Sequence, residues 1–291
     1  MMRPEACGIL NSGGGAWAFS GLAAQLSAAL WVDVTETPRE FNYLLAADGP
    51  DPAGGGEVFV PLRGMTLAAD KRLLAEVFAK GGVPTPETRL VESLEKAEGV
   101  LAEEPGREWC LKFPTGCGAA GHRRLVAGMS LPGSWPLPLV VQEFIRLDWP
   151  EVYRTYAAGG KLFGWVVRRF PAGARPSPWV THARGARYES AGEIPPAALS
   201  AARLALEATG LLASFGCVDL LRRPTGEWIV LEVGTDGLRN HVDRDLGLPD
   251  VELEIQRRVA EAFWSRFDSR PWGTGDWRPR PPDHHATKHG S

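Results

Sequence analysis

The chain has 291 residues, 44% hydrophobic and 23% charged, which fits one large or two modest globular domains and excludes a disordered chain. Its 32 basic and 35 acidic residues nearly cancel, arguing against nucleic-acid binding through bulk charge, and no apolar run reaches the ~18 residues of a membrane span. No basic cluster precedes an apolar core at the start, and Cys7, Cys110, Cys117 and Cys217 form no C-x-x-C pair, so the expectation is a soluble cytoplasmic protein without a zinc or disulfide framework.

Residues 7–30 read as a short strand, a Gly-rich turn and a helix, with Trp17, Leu22, Leu26 and Leu30 at helical spacing. Gly13, Gly14 and Gly15 could cradle a phosphate at a helix N-terminus, but the pattern is not G-x-G-x-x-G and a tight βα turn is favoured. Residues 48–56 are a loop. Asp70 opens a helix that Gly81-Gly82 ends, residues 89–91 are a strand, and Ser93 caps a helix to about residue 102. A strand at 108–113 enters Pro114-Thr-Gly-Cys-Gly-Ala-Ala-Gly121, and 137–145 is another strand. Residues 152–157 and 162–170 pair about Gly159-Gly160, and 170–193 are a mobile loop. A helix over 196–215, a hairpin of 216–221 with 228–233 and a helix over 251–266 follow. Beyond Asp268 the Pro-, His- and Arg-rich tail reads as frayed.

The basic residues include only six Lys (Lys71, Lys80, Lys96, Lys112, Lys161 and Lys288), which makes each one worth inspecting. Lys112 ends a strand and is followed at once by a Gly-rich turn, Gly116-Cys-Gly118-Ala-Ala-Gly121, whose backbone N–H groups can close over phosphates. Asp219 and Glu232 sit on facing strands of the hairpin, each within an apolar run. Two such carboxylates repel unless a cation lies between them, and Mg²⁺ would resolve that.

These pieces, in this order over residues 58–245, resemble the ATP-grasp superfamily, and the closing pair resembles its ribosomal-protein-modifying and glutathione-synthetase-like branch. The motifs are Asp70-Lys71-Arg72, Cys110-Leu-Lys112-Phe-Pro114, Val141-Gln-Glu-Phe-Ile145, Tyr153-Arg154, Gly160 to Arg169, Gly216-Cys-Val-Asp219 and Trp228-Ile-Val-Leu-Glu232-Val. The resemblance implies an α/β fold: two subdomains clasping ATP over 66–145 and 146–268, a short Rossmann-like region over 1–65 and a tail over 269–291. It implies ATP and Mg²⁺ as cofactors, with ATP held by Lys71, Lys112, Gly116, Gly118, Gly121, Gln142, Glu143, Phe144 and Ile145. The last four would be a hinge reading the adenine edge largely through backbone groups. Arg168 or Arg169 would sit over the transferred phosphoryl group, and alternation sends only one inward, Arg168 being favoured. Asp219 and Glu232 would be metal ligands, and Arg154, His182, Arg184, Arg239, Asn240 and His241 substrate contacts.

Two positions depart from the family's pattern. Gly234 stands where the family commonly has an Asn metal ligand, leaving Asp236 or water to replace it, and His182 stands where relatives often place Asn. The implied activity is a ligase that phosphorylates a carboxylate with ATP and joins it to an amine, on small-molecule or peptide substrates, with a homodimer compatible and no nucleic-acid or membrane partner. The alternatives are an ATP-binding protein of the same fold that has lost catalysis, and a Rossmann-type enzyme read from Asn11 to Gly15, which would leave Lys112, Asp219 and Glu232 unexplained.

Overall fold

The computed structural model describes residues 3–46, 48–116, 118–119, 121–237, 245–246, 250–268 and 277–280. By their contacts these fall into two compact units, residues 1–62 with 250–291 and residues 63–249.

In the first unit, β1 (Cys7–Asn11) leads through a 3₁₀ turn into α1 (Ser20–Leu30), then β2 (Asp33–Thr35), β3 (Phe41–Ala46) and β4 (Glu57–Val58). The strands form a parallel sheet in the order β2-β1-β3-β4. All five residues of β1 are buried, as are the first five of β3, so neither shows the alternation that flags a strand. The C-terminal helix Asp250–Asp268, expected with the nucleotide region, groups with this unit instead. Its aromatic residues explain why: the Phe263 ring lies 4.8 Å from Phe41 and 5.6 Å from Phe59, and Trp264 Nε1 donates to the Leu30 carbonyl at 3.0 Å. Residues 277–280 of the expected frayed tail are also held. Trp277 Nε1 donates to the Ala29 carbonyl at 3.1 Å and the Arg280 N–H to the Ala28 carbonyl at 2.8 Å, serving carbonyls that α1 leaves open at its end.

The second unit opens with α2 (Leu62–Ala69), which the sequence reading missed because Gly64 interrupts it. A Cβ there would lie 2.7 Å from Leu211 Cδ2, so close packing explains the glycine. Next come α3 (Lys71–Gly81), β5 (Thr88–Val91), α4 (Leu94–Glu103), β6 (Trp109–Lys112), β7 (Arg123–Arg124) and β8 (Leu139–Glu143). Asp70 and Ser93 cap α3 and α4 through their side chains, the Ser93 cap as expected. The four strands form an antiparallel sheet, β5-β8-β6-β7, with Ala97 and Val100 of α4 packed on Trp109, Leu111 and Val141.

A second antiparallel sheet combines β9 (Glu151–Ala158), β10 (Lys161–Arg169), β11 (Arg187–Ser190), β12 (Phe215–Arg222) and β13 (Trp228–Gly234) in the order β11-β10-β9-β12-β13. The helix α5 (Pro196–Thr209) packs on β12 and β13. It stops at residue 209 rather than 215 because Gly210 takes a left-handed conformation (φ 74°) and caps it. Strand β11 lies inside the segment expected to be a mobile loop. Two bulges set which side chains share a face. Gly164 (φ 67°) interrupts β10, and Leu231 is the extra residue of β13, since Asp219 pairs with Glu232 but Leu220 with Val230.

Candidate nucleotide and metal site

A cavity of about 680 Å³ lies within the second unit, lined from both of its sheets. One wall is cationic. Lys71 is the first residue of α3, where Asp70 holds the helix start; its N–H donates to the Pro114 carbonyl at 2.8 Å and its Nζ to the Gly116 carbonyl at 3.0 Å. Lys112, at the end of β6, lines the same wall. Gly116 (φ 86°) and Gly118 (φ 71°) bend the turn between them and β7. At Gly121 the constraint is contact: a Cβ would fall 2.2 Å from Phe113 Cβ. His122 follows, and its imidazole is pushed down to about 3 by burial and then by Lys112, Lys71 and Arg184. Burial thus keeps His122 neutral, and the cations beside it act in the same direction.

A second wall is the end of β8. Gln142 donates through Nε2 to Thr88 Oγ1 at 2.9 Å, and Glu143 forks onto Arg223 at 2.8 and 2.7 Å. The Glu143 and Phe144 N–H groups donate to the carbonyls of Glu87 and Glu108 at 2.8 and 2.7 Å. Both polar side chains of this segment, and the Glu143 and Phe144 N–H groups, are therefore committed to the protein. The Phe144 ring lies 5.2 Å from Trp179, nearly perpendicular, with the Arg124 guanidinium 4.0 Å above its face.

The opposite wall carries the carboxylates. Register places Asp219 beside Glu232 on one side and Arg154 on the other, and Arg168 comes to the same face from β10. Asp219 is 2% exposed; Arg154 forks onto it at 2.6 and 3.0 Å and Arg168 adds a third contact. Burial pushes the Asp219 carboxyl up, but Arg154 and Arg168 outweigh it and hold it below the usual carboxylate range. Contrary to the expectation from the sequence, the pair needs no metal merely to relieve repulsion: two guanidiniums supply the compensating charge at Asp219. Glu232 is half-buried and lines the cavity together with the bulged Leu231.

No protein-family model and no curated protein sequence matches the chain. Solved structures do. The ATP-grasp ligase PsnB complexed with a minimal precursor superposes with a TM-score of 0.64 at 13% identity, over 88% of this chain and 99% of that one. D-alanine–D-alanine ligase from Bacillus anthracis complexed with ATP gives 0.63 at 14% identity, over 91% and 98%. D-cycloserine synthetase DcsG gives 0.60 at 19% identity, over 88% and 99%. The chain has the ATP-grasp fold.

Within this ATP-grasp fold, the cavity brings together Lys71, Lys112, Gly116, Gly118, Gly121, Gln142 to Ile145, Arg168, Asp219 and Glu232. Other expected residues lie elsewhere. Arg169 projects from the other face of β10 and pairs with Glu151 and Glu189 at 3.2 and 3.7 Å, because adjacent strand residues point to opposite sides. Arg154 is turned into Asp219 rather than toward the cavity. His182 Nε2 lies 3.3 Å from Asp245, which also accepts the Tyr188 N–H at 3.1 Å, and Arg184 is exposed. Asp236 is exposed and does not line the cavity, but its Oδ1 lies 3.1 Å from where a Cβ on Gly234 would be, filling part of the space an Asn would take. Arg239, Asn240 and His241 lie outside the described residues.

Sequence reading missed His122, Arg124 and Trp179 in the lining and Arg223 behind it. His122 had a signal, since it directly follows Gly121; Trp179 had none in its Pro-rich segment. Among the described residues no cluster of three or more His, Cys, Asp or Glu is arranged for a metal. The donor chemistry still fits Mg²⁺, which takes few protein carboxylates and completes its shell with water and phosphate oxygens: Glu232 faces the cavity and Asp219 shares its face.

Proposed function

We propose that the protein is an ATP- and Mg²⁺-dependent ligase that joins a carboxylate to an amine, releasing ADP and phosphate. The observation that carries this reading is the opposition across one cavity of a cationic wall (Lys71 and Lys112) and a carboxylate wall (Asp219, Glu232). Lys71, Lys112 and the backbone of the 116–121 turn hold the phosphates, and the 142–145 segment lies along the base. Asp219 and Glu232 hold Mg²⁺, with Asp236 as the nearest replacement for the missing Asn. Bound there, the ion would neutralise phosphate charge and orient the γ-phosphoryl group.

A carboxylate oxygen attacks the γ-phosphorus as the bond to the ADP oxygen breaks, giving an acyl phosphate and ADP. The amine then attacks the acyl carbon, the carbon–oxygen bond to phosphate breaks, and the amine gives up a proton. Arg168, which Asp219 holds, would stabilise charge on the transferred group. His182 and Arg184, with Arg239, Asn240 and His241, are the substrate-side candidates. PsnB is also known complexed with a precursor peptide, and the other neighbours named are a D-alanine–D-alanine ligase and a D-cycloserine synthetase, so peptides and amino acids are the first substrates to try.

A second reading, nucleotide binding without catalysis, is favoured by Gly234 and by the commitment of Asp219 to two arginines. The test is ADP release from ATP and Mg²⁺ with pooled amino acids and peptides. ADP release that needs both a carboxylate and an amine supports ligation. ATP binding with no ADP release across the pool favours the second reading, and absence of ATP binding sinks both. Among the described residues no helix is long and apolar enough to cross a membrane.

A further inference from the structure

The proposed site has two ends, a base end on the first sheet of the second unit and a carboxylate end on the β12–β13 hairpin, and one side-chain pair ties them. Arg223 is the first residue of the hairpin's turn. Its N–H donates to the Glu227 carbonyl at 2.8 Å and its own carbonyl accepts the Gly226 N–H at 2.8 Å, so its backbone is fixed to the two strands that carry Asp219 and Glu232. From there its guanidinium reaches Glu143, the last residue of β8, with NH1 on Oε1 at 2.8 Å and NH2 on Oε2 at 2.7 Å. Two parallel bonds fix orientation as well as distance, which a single ammonium contact does not.

Glu143 is equally anchored. Its N–H donates to the Glu87 carbonyl at 2.8 Å, its Oε2 accepts the Glu87 N–H at 3.3 Å, and Arg107 stands 3.5 Å away, itself paired with Glu87 and Glu104. The pair is largely shielded, with side-chain exposures of 13% for Glu143 and 20% for Arg223. The Glu143 carboxyl is held down at about 2, chiefly by Arg223. A second tie runs beside it: the Val230 N–H donates to the Pro84 carbonyl at 2.7 Å, one residue before the bulge that sends Leu231 and Glu232 into the cavity. Arg223 does not line the cavity, so it touches no ligand there.

We propose that the Glu143–Arg223 fork is a latch that holds the base-reading segment in register with the carboxylate-bearing hairpin, making Arg223 a positioning residue that couples nucleotide binding to metal binding. This rests on the reading of the cavity as an ATP and Mg²⁺ site. Coupling between two ligands is reciprocal and measurable as the factor by which one raises the affinity for the other, commonly 5–150-fold (about 1–3 kcal/mol). A salt bridge that only stabilises the fold would lower the melting temperature and leave that factor alone.

The experiment is calorimetric ADP affinity, with and without Mg²⁺, for the full-length wild type, Arg223→Gln and Arg223→Lys. The expected result is that Mg²⁺ strengthens ADP binding to the wild type. Arg223→Gln should lose at least about fivefold of that enhancement, with metal-free ADP affinity within about twofold of wild type, a small change on the usual mutational scale. Arg223→Lys, which keeps the charge without the fork, should recover less than half of the loss. Should the Gln variant fail to fold, the Lys variant decides alone: a reduced enhancement supports the latch and a wild-type enhancement overturns it. An unchanged enhancement in Arg223→Gln, or equal losses with and without metal, also overturns the latch while leaving the ATP site standing. A wild type that binds no ADP at all removes the site and the latch together.

Discussion

Two of the chain's Gly-rich turns, residues 13–15 and 116–121, each follow a strand but sit in opposite charge surroundings. In the first unit, the Gly14 N–H donates to Asp48 Oδ2 at 2.9 Å, and Gly13 (φ 84°) is glycine because a Cβ would lie 2.4 Å from that same oxygen. A carboxylate already sits where a phosphate would have to go, so the turn serves to join β1 to the helix that follows. In the second unit, the 116–121 turn is flanked by Lys71 and Lys112 and followed by a histidine that burial, and then its cationic surroundings, keep neutral. Glycine content gives a turn its backbone freedom; the charge packed against it decides whether an anion is admitted.

The largest expected effect tests whether the second turn shares its cavity with a working metal site. Glu232→Gln keeps the shape and deletes an anionic ligand, so ADP release should fall to background with the melting temperature little changed; full turnover would overturn the metal assignment. Next, Lys112→Ala should weaken ATP binding by about 1.5–3 kcal/mol, the worth of a hydrogen bond to a charged group, or roughly 10–150-fold. Unchanged affinity in calorimetry would remove Lys112 from the site and erase the contrast between the turns.

A smaller effect is expected at Asp236. Asp236→Ala should raise the Mg²⁺ needed for half-maximal ADP release by roughly 10-fold, the low end for losing a supporting group around a metal. Gly234→Asn should lower that requirement, because the backbone there is not at positive φ and only the Asp236 carboxylate and the Cys217 sulfur crowd the new Cβ, at 3.1 and 3.4 Å. Superimposable magnesium titrations for wild type and both variants would show that neither position serves the metal. The smallest effect belongs to the first turn. Asp48→Asn keeps an oxygen for the Gly14 N–H and removes the charge, and nucleotide affinity should not move; a clear change would return the nucleotide to the first unit.

Much of the second unit was legible in the sequence because its signals are local. Asp70 and Ser93 announce their helices by side-chain caps, Gly159-Gly160 and Pro224-Thr-Gly226 mark hairpins, and the order of Lys112, the Gln142–Ile145 segment, Asp219 and Glu232 carries the fold. Strand β3, buried along its first five residues, and the Gly-interrupted α2 left no such mark, since burial on both faces erases a strand's periodicity and the glycine breaks the helical pattern. Only the tertiary structure decided what neutralises Asp219, because Arg154 and Arg168 are 65 and 51 residues away and meet it through strand register alone. The same holds for the C-terminal helix, whose Phe263 and Trp264 find Phe41, Phe59 and the end of α1 across most of the chain's length. Spacing within a segment reveals local structure; the burial of charges and aromatic rings is satisfied by whichever distant residue folding brings alongside, and no local pattern encodes that partner.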